Sequence, residues 1–252
     1  MFFEERVKQI VKYITNNNRA TVKELSKKFK VSEITIRRDL SYIEKHYNIK
    51  RTHGGAILYI TEEGEFTFDE KFTQNIEFKK RIAQKAVEYI KEGQTVLIDG
   101  GSTNYQIALL LKNLKNLKIV TNSIPAAYIL RNSENEIIFL GGNLRKKSFT
   151  VVGPLTLEVL KNFNIDIAFI GTTGLDNDGY LYSPSELEAF TKKEIIKATN
   201  FKVIVFDSSK AGIKSFAKFG NISNMDLIIT NSEIDKEFLN KIRKYNSKII
   251  LS

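Results

Sequence analysis

The sequence predicts a two-part α/β chain. A winged helix-turn-helix occupies residues 1–59, and a mostly parallel α/β unit occupies residues 76–252. Three observations carry this. A capped, basic, amphipathic helical segment follows a short turn near residue 32. Short apolar runs alternate with helical segments from residue 75 onward, the pattern of a parallel sheet covered by helices. Positive charge is concentrated at the N-terminus: residues 1–60 hold 13 Lys+Arg against 6 Asp+Glu, a net of +7, whereas residues 61–252 hold 26 against 23, a net of +3.

Val7, Ile10, Val11 and Ile14 form a helical stripe after Glu4 and Glu5, and Asn16-Asn17-Asn18 ends that helix. Thr21-Val22-Lys23-Glu24 reads as a capping box, a Thr cap with Glu three residues later. Val22, Leu25 and Phe29 give the second helix its inner face. Residues 30–32 make a turn as short as a helix-turn-helix requires. Ser32 is a good N-cap, and Glu33 suits the positive end of the helix dipole. In the third helix Ile36, Leu40, Ile43 and Tyr47 share one apolar stripe. Thr35, Arg38, Tyr42 and Lys45 lie opposite, flanked by Arg37 and Ser41.

A helix of this kind suits DNA. Arg reads guanine bidentately, Thr touches a thymine methyl, and both bind phosphate. Residues 49–52, His53-Gly54-Gly55 and residues 56–59 read as a hairpin on a Gly-Gly turn, a wing whose Lys50, Arg51 and His53 would lie along the sugar-phosphate backbone. The candidate DNA-contacting set is therefore Ser32, Thr35, Arg37, Arg38, Ser41, Tyr42, Lys50, Arg51 and His53. The concentrated charge is the footprint of a nucleic-acid module. A membrane surface would also attract it, but no strongly apolar amphipathic face accompanies it.

Residues 60–75 read as a connector. Thr61-Glu62-Glu63-Gly64-Glu65 is polar and acidic, and Phe66, Phe68 and Phe72 follow. Those rings would dock the connector on a domain, on a partner copy or on the wing.

The second unit begins with a helix near 76–90, with Ile82, Ala86, Val87 and Ile90 inward. Strands are expected at 95–98, 118–120, 136–140, 166–170, 202–206 and 225–229, and a helix–strand unit closes the chain. In such a sheet, ligands bind beyond the carboxyl ends of the strands. Those ends carry Asp99-Gly100-Gly101-Ser102-Thr103, Thr121-Asn122-Ser123, Gly141-Gly142-Asn143-Leu144-Arg145, Gly171-Thr172-Thr173-Gly174 and Asp207-Ser208-Ser209-Lys210. Gly101, Ser102 and Thr103 open a helix whose N–H groups would cradle a phosphate. Thr121, Asn122 and Ser123 offer a second such turn, and Gly142 and Gly171 lie in the loops between. Arg145 and Lys210 would supply cations, and Asp99 and Asp207 would accept from sugar hydroxyls. Together they outline a site for a sugar phosphate.

Apolar content of 42% supports a sizeable core, and there is no Cys, so disulfides, thiolate chemistry and zinc-finger ligands are excluded. The two His, His46 and His53, both fall in the N-terminal part and make a His-based metal or triad site a poor fit. No cofactor is expected. No apolar run is long enough to cross a membrane and no signal-peptide pattern stands at the start, so the expected location is cytoplasmic.

Val31-Ser32-x-x-Thr35-Ile36-Arg37-Arg38-Asp39-Leu40 followed by Arg51-x-His53-Gly54-Gly55-Ala56 resembles the DeoR family of bacterial transcription regulators. The later part resembles that family's sensor domain at Asp99-Gly100-Gly101-Ser102-Thr103, Val120-Thr121-Asn122-Ser123, Leu140-Gly141-Gly142-x-Leu144-Arg145, Ala168-Phe169-Ile170-Gly171 and Asp207-Ser208-Ser209-Lys210. Ser102 stands for the common Thr and keeps a hydroxyl. Asn231 departs from the family's usual Asp. The resemblance implies a sensor similar to ribose-5-phosphate isomerase-like folds that binds a phosphorylated sugar. It implies a homo-oligomeric repressor of a sugar transport or catabolism operon, released from operator DNA by that effector. It also implies a helix lysine, Lys192, near the site, with Glu188 one turn earlier. Glu188 and Lys192 would equally serve as an i,i+4 surface pair. Two alternatives stand beside this reading. Asp99, Asp207, Glu188 and Lys210 are residue types that a phosphosugar isomerase uses, and a constitutive DNA-binding protein could carry a degenerate sensor.

Overall fold

Thr21 and Ser32 start the two helices that the sequence assigns to them. In this computed structural model, which describes residues 2–246 and 248–252 and at Asn16 the backbone alone, α1 (Phe3–Asn17) closes on Asn18 in the left-handed region, φ 61°. The short strand β1 (Arg19–Thr21) follows, and then α2 (Val22–Phe29). Thr21 Oγ1 accepts from the Glu24 N–H at 3.1 Å while the Glu24 carboxylate accepts from the Thr21 N–H at 2.7 Å, which completes the capping box. Ser32 caps α3 (Glu33–His46) by accepting from the Thr35 N–H at 3.1 Å. Ile36, Leu40 and Ile43 are fully buried with Val7, Ile10, Ile14 and Leu25. Each such burial contributes roughly 1.5–3 kcal/mol relative to exposure. Tyr47 departs from the expected stripe: the helix has ended, and the extended residue is 39% exposed.

Asp39, in the middle of α3, faces the core. It accepts from Arg6 of α1 at 2.6 Å and is 2% exposed, so this buried pair clamps α1 to α3. Strands β2 (Ile49–Thr52) and β3 (Gly55–Ile60) form the expected hairpin, with Thr52 opposite Gly55. The turn is thus His53-Gly54, and the second glycine opens the strand. Its role is close approach: a Cβ on Gly55 would stand 2.1 Å from the Ala20 carbonyl oxygen, because β1 pairs with β3 at this point.

The residues after β3 lie on the α/β unit. Helix α4 (Phe68–Thr73) has its own capping box between Thr67 and Glu70. The Phe68 N–H donates to the Lys147 carbonyl at 2.8 Å, and the Phe68 ring meets Tyr105 and Phe149 edge-on. Of the dockings open to the connector, the structure shows this one.

The second unit runs α5 (Ile76–Val87), β4 (Thr95–Ile98), α6 (Ser102–Leu111), β5 (Lys118–Thr121), α7 (Ile124–Leu130), β6 (Glu136–Phe139), β7 (Asn143–Arg145), β8 (Thr150–Val152), α8 (Pro154–Leu160) and β9 (Ile165–Gly171). It continues β10 (Gly174–Leu175), β11 (Tyr180–Ser183), α9 (Glu186–Lys197), β12 (Thr199–Val205), β13 (Lys214–Ser215), β14 (Ala217–Asn221), β15 (Leu227–Thr230), α10 (Lys236–Ile242) and β16 (Ile249–Leu251). Strands β16-β15-β12-β9-β4-β5-β6 form one sheet in that order, and each pair in it is parallel.

Side chains alternate across this sheet with the strand period of two. Leu97, Val120, Ala168, Ile204 and Ile228 enter one core, while Val96, Ile98, Ile119, Ile167, Phe169, Val203 and Ile229 enter the other. Burial on both faces explains why these strands read as continuous apolar runs. The antiparallel additions β7-β8 and β10-β11-β14 are not legible in the sequence, since two- to five-residue strands carry little period. Strand β13 joins the two units by pairing with β3, Lys214 opposite Tyr59 and Ser215 opposite Ile60. Among the described residues, no helix is long and apolar enough to cross a membrane.

Candidate functional site

The carboxyl ends of β4, β5, β9 and β12 open into one cleft, lined by residues 99–104, Asn122, residues 171–173, Glu188, Lys192 and residues 205–207 with Lys210. Gly101 sits at φ 119°, a conformation that side chains with a Cβ rarely adopt, and it turns the chain from β4 into α6. No side chain caps α6. Its first-turn N–H groups therefore face the cleft without an intrahelical acceptor, beside the Ser102 and Thr103 hydroxyls. That is the geometry of an anion site.

Asp99 is 2% exposed and holds the Lys192 ammonium, while its Oδ2 also accepts from the Gly171 N–H at 3.2 Å. Lys192 donates in addition to the Gly171 carbonyl at 3.0 Å. Glu188 is buried, and its oxygens accept from Arg145 at 3.3 Å and Ser183 at 2.9 Å. Burial pushes the Glu188 carboxyl up, but Arg145, Lys192 and Lys71, together with Ser148, outweigh it and hold it below the ordinary Glu range. The surface-pair reading of Glu188 and Lys192 thus fails: Lys192 pairs with Asp99, and both side chains are buried.

After β12, Asp207 accepts from the Ser209 N–H and from the Asn75 amide, each at 3.1 Å. Burial pushes its carboxyl up, and Lys210, Ser209 and Lys79 bring it below the ordinary Asp range. Burial lowers the Lys210 ammonium pKa, and Asp207 partly restores it. Yet Lys210 Nζ makes no hydrogen bond or ion pair with any described residue. Two acceptors in the cleft are also unpartnered: Asn104 Oδ1, whose amide nitrogen donates to Gly100 and Phe169, and Asn122 Oδ1. A half-buried cation without a hydrogen-bond or ion-pair partner, a bare helix start and two idle acceptors suit a ligand with an anionic end and hydroxyl donors.

The structure brings ten of the expected ligand residues to this cleft: Asp99, Gly101, Ser102, Thr103, Asn122, Gly171, Glu188, Lys192, Asp207 and Lys210. Four lie elsewhere because the fold uses them. Thr121 donates to the Ile98 carbonyl at 2.6 Å, and Ser123 caps α7. Gly142 packs where a Cβ would meet Thr156 Oγ1 and the Val152 carbonyl. Arg145, expected to supply a cation, is instead shared among Glu62, Glu65 and Glu188. Sequence reasoning missed Glu65, Phe66, Lys71, Asn104, Ser148 and Thr150, which also line the cleft. The acidic and aromatic residues of the connector were the available signal.

In the N-terminal domain, α3 exposes Ile34, Arg37, Arg38, Tyr42, Lys45 and His46. Arg38 has no ionic or hydrogen-bond partner among the described residues. Arg37 pairs with Glu33 at 3.6 Å, and the Ser32 and Thr35 hydroxyls meet at 2.9 Å. Ser41 accepts from Arg51 at 2.5 Å, which ties hairpin to helix. Tyr42 stacks on His46 and meets Phe3 edge-on. Lys50 lies over the Tyr59 ring, and His53 is exposed at the turn.

Residues 6–62 match the DeoR-like helix-turn-helix domain, and residues 74–232 match the DeoR C terminal sensor domain. The chain belongs to the DeoR family.

Relatives agree over nearly its whole length. It is 36% identical to the glycerol-3-phosphate regulon repressor of Escherichia coli strain K12 over 90% of each chain. It is 32% identical to the lactose phosphotransferase system repressor of Streptococcus mutans serotype c over 98% of each chain. Ribose 5-phosphate isomerase A from Methanocaldococcus jannaschii aligns over 54% of this chain and 55% of its own, with a TM-score of 0.41 and 20% identity. This DeoR-family chain is a DNA-binding transcription regulator, and the enzyme alternative falls with that assignment. Its Asn231, the departure from the DeoR pattern, accepts from the Ser208 N–H at 2.7 Å and so steadies the loop that carries Lys210.

Proposed function

We propose that this DeoR-family protein represses a sugar transport or catabolism operon and that a phosphorylated sugar in the cleft releases it from its operator. Residues 1–59 form the output, 60–75 the connector and 76–252 the sensor. The protein works in the cytoplasm as a homo-oligomer, which sets two winged helices on operator half-sites. The observation that carries this reading is the uncapped start of α6 facing the same cleft as the unpartnered Lys210 ammonium and the idle Asn104 and Asn122 acceptors. A phosphate is matched by the helix start and the ammonium, and sugar hydroxyls are matched by the acceptors. The names of the two relatives, a glycerol-3-phosphate regulon repressor and a lactose phosphotransferase system repressor, support the same class of controlled genes. Release requires that the effector bind one arrangement of the oligomer more tightly than the other.

Thermal unfolding of the full chain with ribose 5-phosphate, glucose 6-phosphate, fructose 1-phosphate and glycerol 3-phosphate tests this, with ribose and glucose as controls. At least one phosphorylated compound should raise the melting temperature, since ligand at about 100 times its dissociation constant adds about 2.7 kcal/mol. Lys210→Ala should abolish the rise and leave DNA binding without effector intact. Equal response to the unphosphorylated sugars, or a normal response in Lys210→Ala, would contradict the site.

A further inference from the structure

The sensor cleft is not closed by sensor-sheet residues alone. Ile60, at the end of the wing strand, and Glu65, Phe66 and Lys71, from the connector, stand in its lining beside Ser102 and Lys210. Glu65 is the pivot of this wall. One of its oxygens holds the Lys71 ammonium, and the other accepts from Arg145 at 2.5 Å. Arg145 in turn reaches Glu188, which also lines the cleft, at 3.3 Å. The carboxylate of Glu65 is nearly sealed from solvent, its side chain 2% exposed, while the Lys71 side chain keeps 19% exposure. Lys79, buried beneath, donates to the Lys71 and Gln74 carbonyls and so fixes the backbone of α4 from the sensor side.

Resting on the effector reading above, we propose that Lys71 is a ligand-contacting residue of the sensor site. The Glu65–Lys71 ion pair is then the contact through which occupancy of the cleft reaches the wing. A phosphate seated at the start of α6 competes with Glu65 for the Lys71 ammonium, because a dianion offers more charge and more acceptor positions than one carboxylate oxygen. When Lys71 turns to the ligand, Glu65 keeps only Arg145, and the anchorage of residues 61–72 on the sensor weakens. That segment continues β3 without a break, so the change is delivered to the strand that carries the β2–β3 hairpin and that also pairs with β13. The bistable element is the connector, and the effector's differential contact is Lys71.

The test uses full-length wild type, Lys71→Met and Glu65→Gln, titrated calorimetrically with the four phosphorylated compounds named above and with inorganic phosphate. Circular dichroism and melting temperature check the fold, and Lys80→Met, at an exposed lysine of α5, is the control. Lys71→Met should bind the responding compound about tenfold or more weakly, and, because it also loses the Glu65 contact, it should hold DNA more weakly than wild type without the compound. Glu65→Gln, which frees Lys71 from its competitor, should bind that compound more tightly than wild type. A wild-type affinity in Lys71→Met, with the compound still releasing DNA, would overturn the inference and leave the effector reading standing. No response from wild type to any of these probes would overturn both.

Discussion

The Asn18 amide of the helix-turn-helix domain donates at 2.8 Å to the carbonyl of Ser209, in the sensor loop that also carries Lys210. The same amide reaches the Ala211 carbonyl at 3.2 Å. A few residues later β13 lies along β3. One stretch of chain, residues 207–215, thus touches the cleft at Asp207 and Lys210 and touches the DNA-binding domain at Ser209, Ala211, Lys214 and Ser215. A ligand that moves Lys210 pulls on the same loop that holds α1.

Asn18→Gly isolates that contact. Glycine accepts the φ of 61° at this helix end without strain, so the substitution removes the amide and little else. Sugar-phosphate affinity should stay within about twofold of wild type, while the factor by which the effector weakens DNA binding should fall, a loss of coupling energy of order 1 kcal/mol. Calorimetry on the ligand and fluorescence anisotropy on the DNA separate the two. An unchanged coupling factor would remove Asn18 from the route.

Arg38 is exposed on α3 and makes no ionic or hydrogen bond within the described protein, so its guanidinium is available to DNA. Arg38→Ala should cost about 1–3 kcal/mol of operator binding with an unchanged melting temperature. Arg37→Ala should cost less, since Arg37 is partly engaged by Glu33. Equal losses at the two positions would contradict this ordering.

Glu188 sets an acid dependence. Its folded pKa lies below the ordinary value of 4.5, so its contribution to stability is fully present above that value and is lost as pH falls through the folded value. Glu188→Gln, which resembles the protonated form, should therefore be less stable than wild type at pH about 6, with the gap narrowing only as pH falls below the ordinary value of 4.5. Urea unfolding at a series of pH values gives the difference. A gap that stays constant across the series would show that Glu188 contributes by shape rather than by charge.

The helix-turn-helix was legible because caps and stripes are local. Thr21, Glu24 and Ser32 act within three residues of themselves, and the apolar spacing of Ile36, Leu40 and Ile43 needs no distant partner. The parallel strands were legible because burial on both faces leaves unbroken apolar runs. Asp39 was not, since only the distant Arg6 turns a charged residue of a basic helix into a core clamp. The same holds for Arg145: its sequence neighbours Lys146 and Lys147 suggest a free cation, and only the return of Glu62 and Glu65 across the sheet neutralises it. The connector is a related case. Its acidic run is plain in the sequence, but only the approach of Lys71 and Arg145 makes Glu65 one of the most buried carboxylates in the structure.

The central claim is that occupancy of the cleft lowers affinity for DNA. Fluorescence anisotropy of a labelled duplex, selected by the full-length chain from a random pool, measures this directly in the absence and presence of the sugar phosphate that raises the melting temperature most. The dissociation constant for DNA should rise by about 5–150-fold at saturating sugar phosphate. A constant that stays the same with the cleft filled would contradict the account.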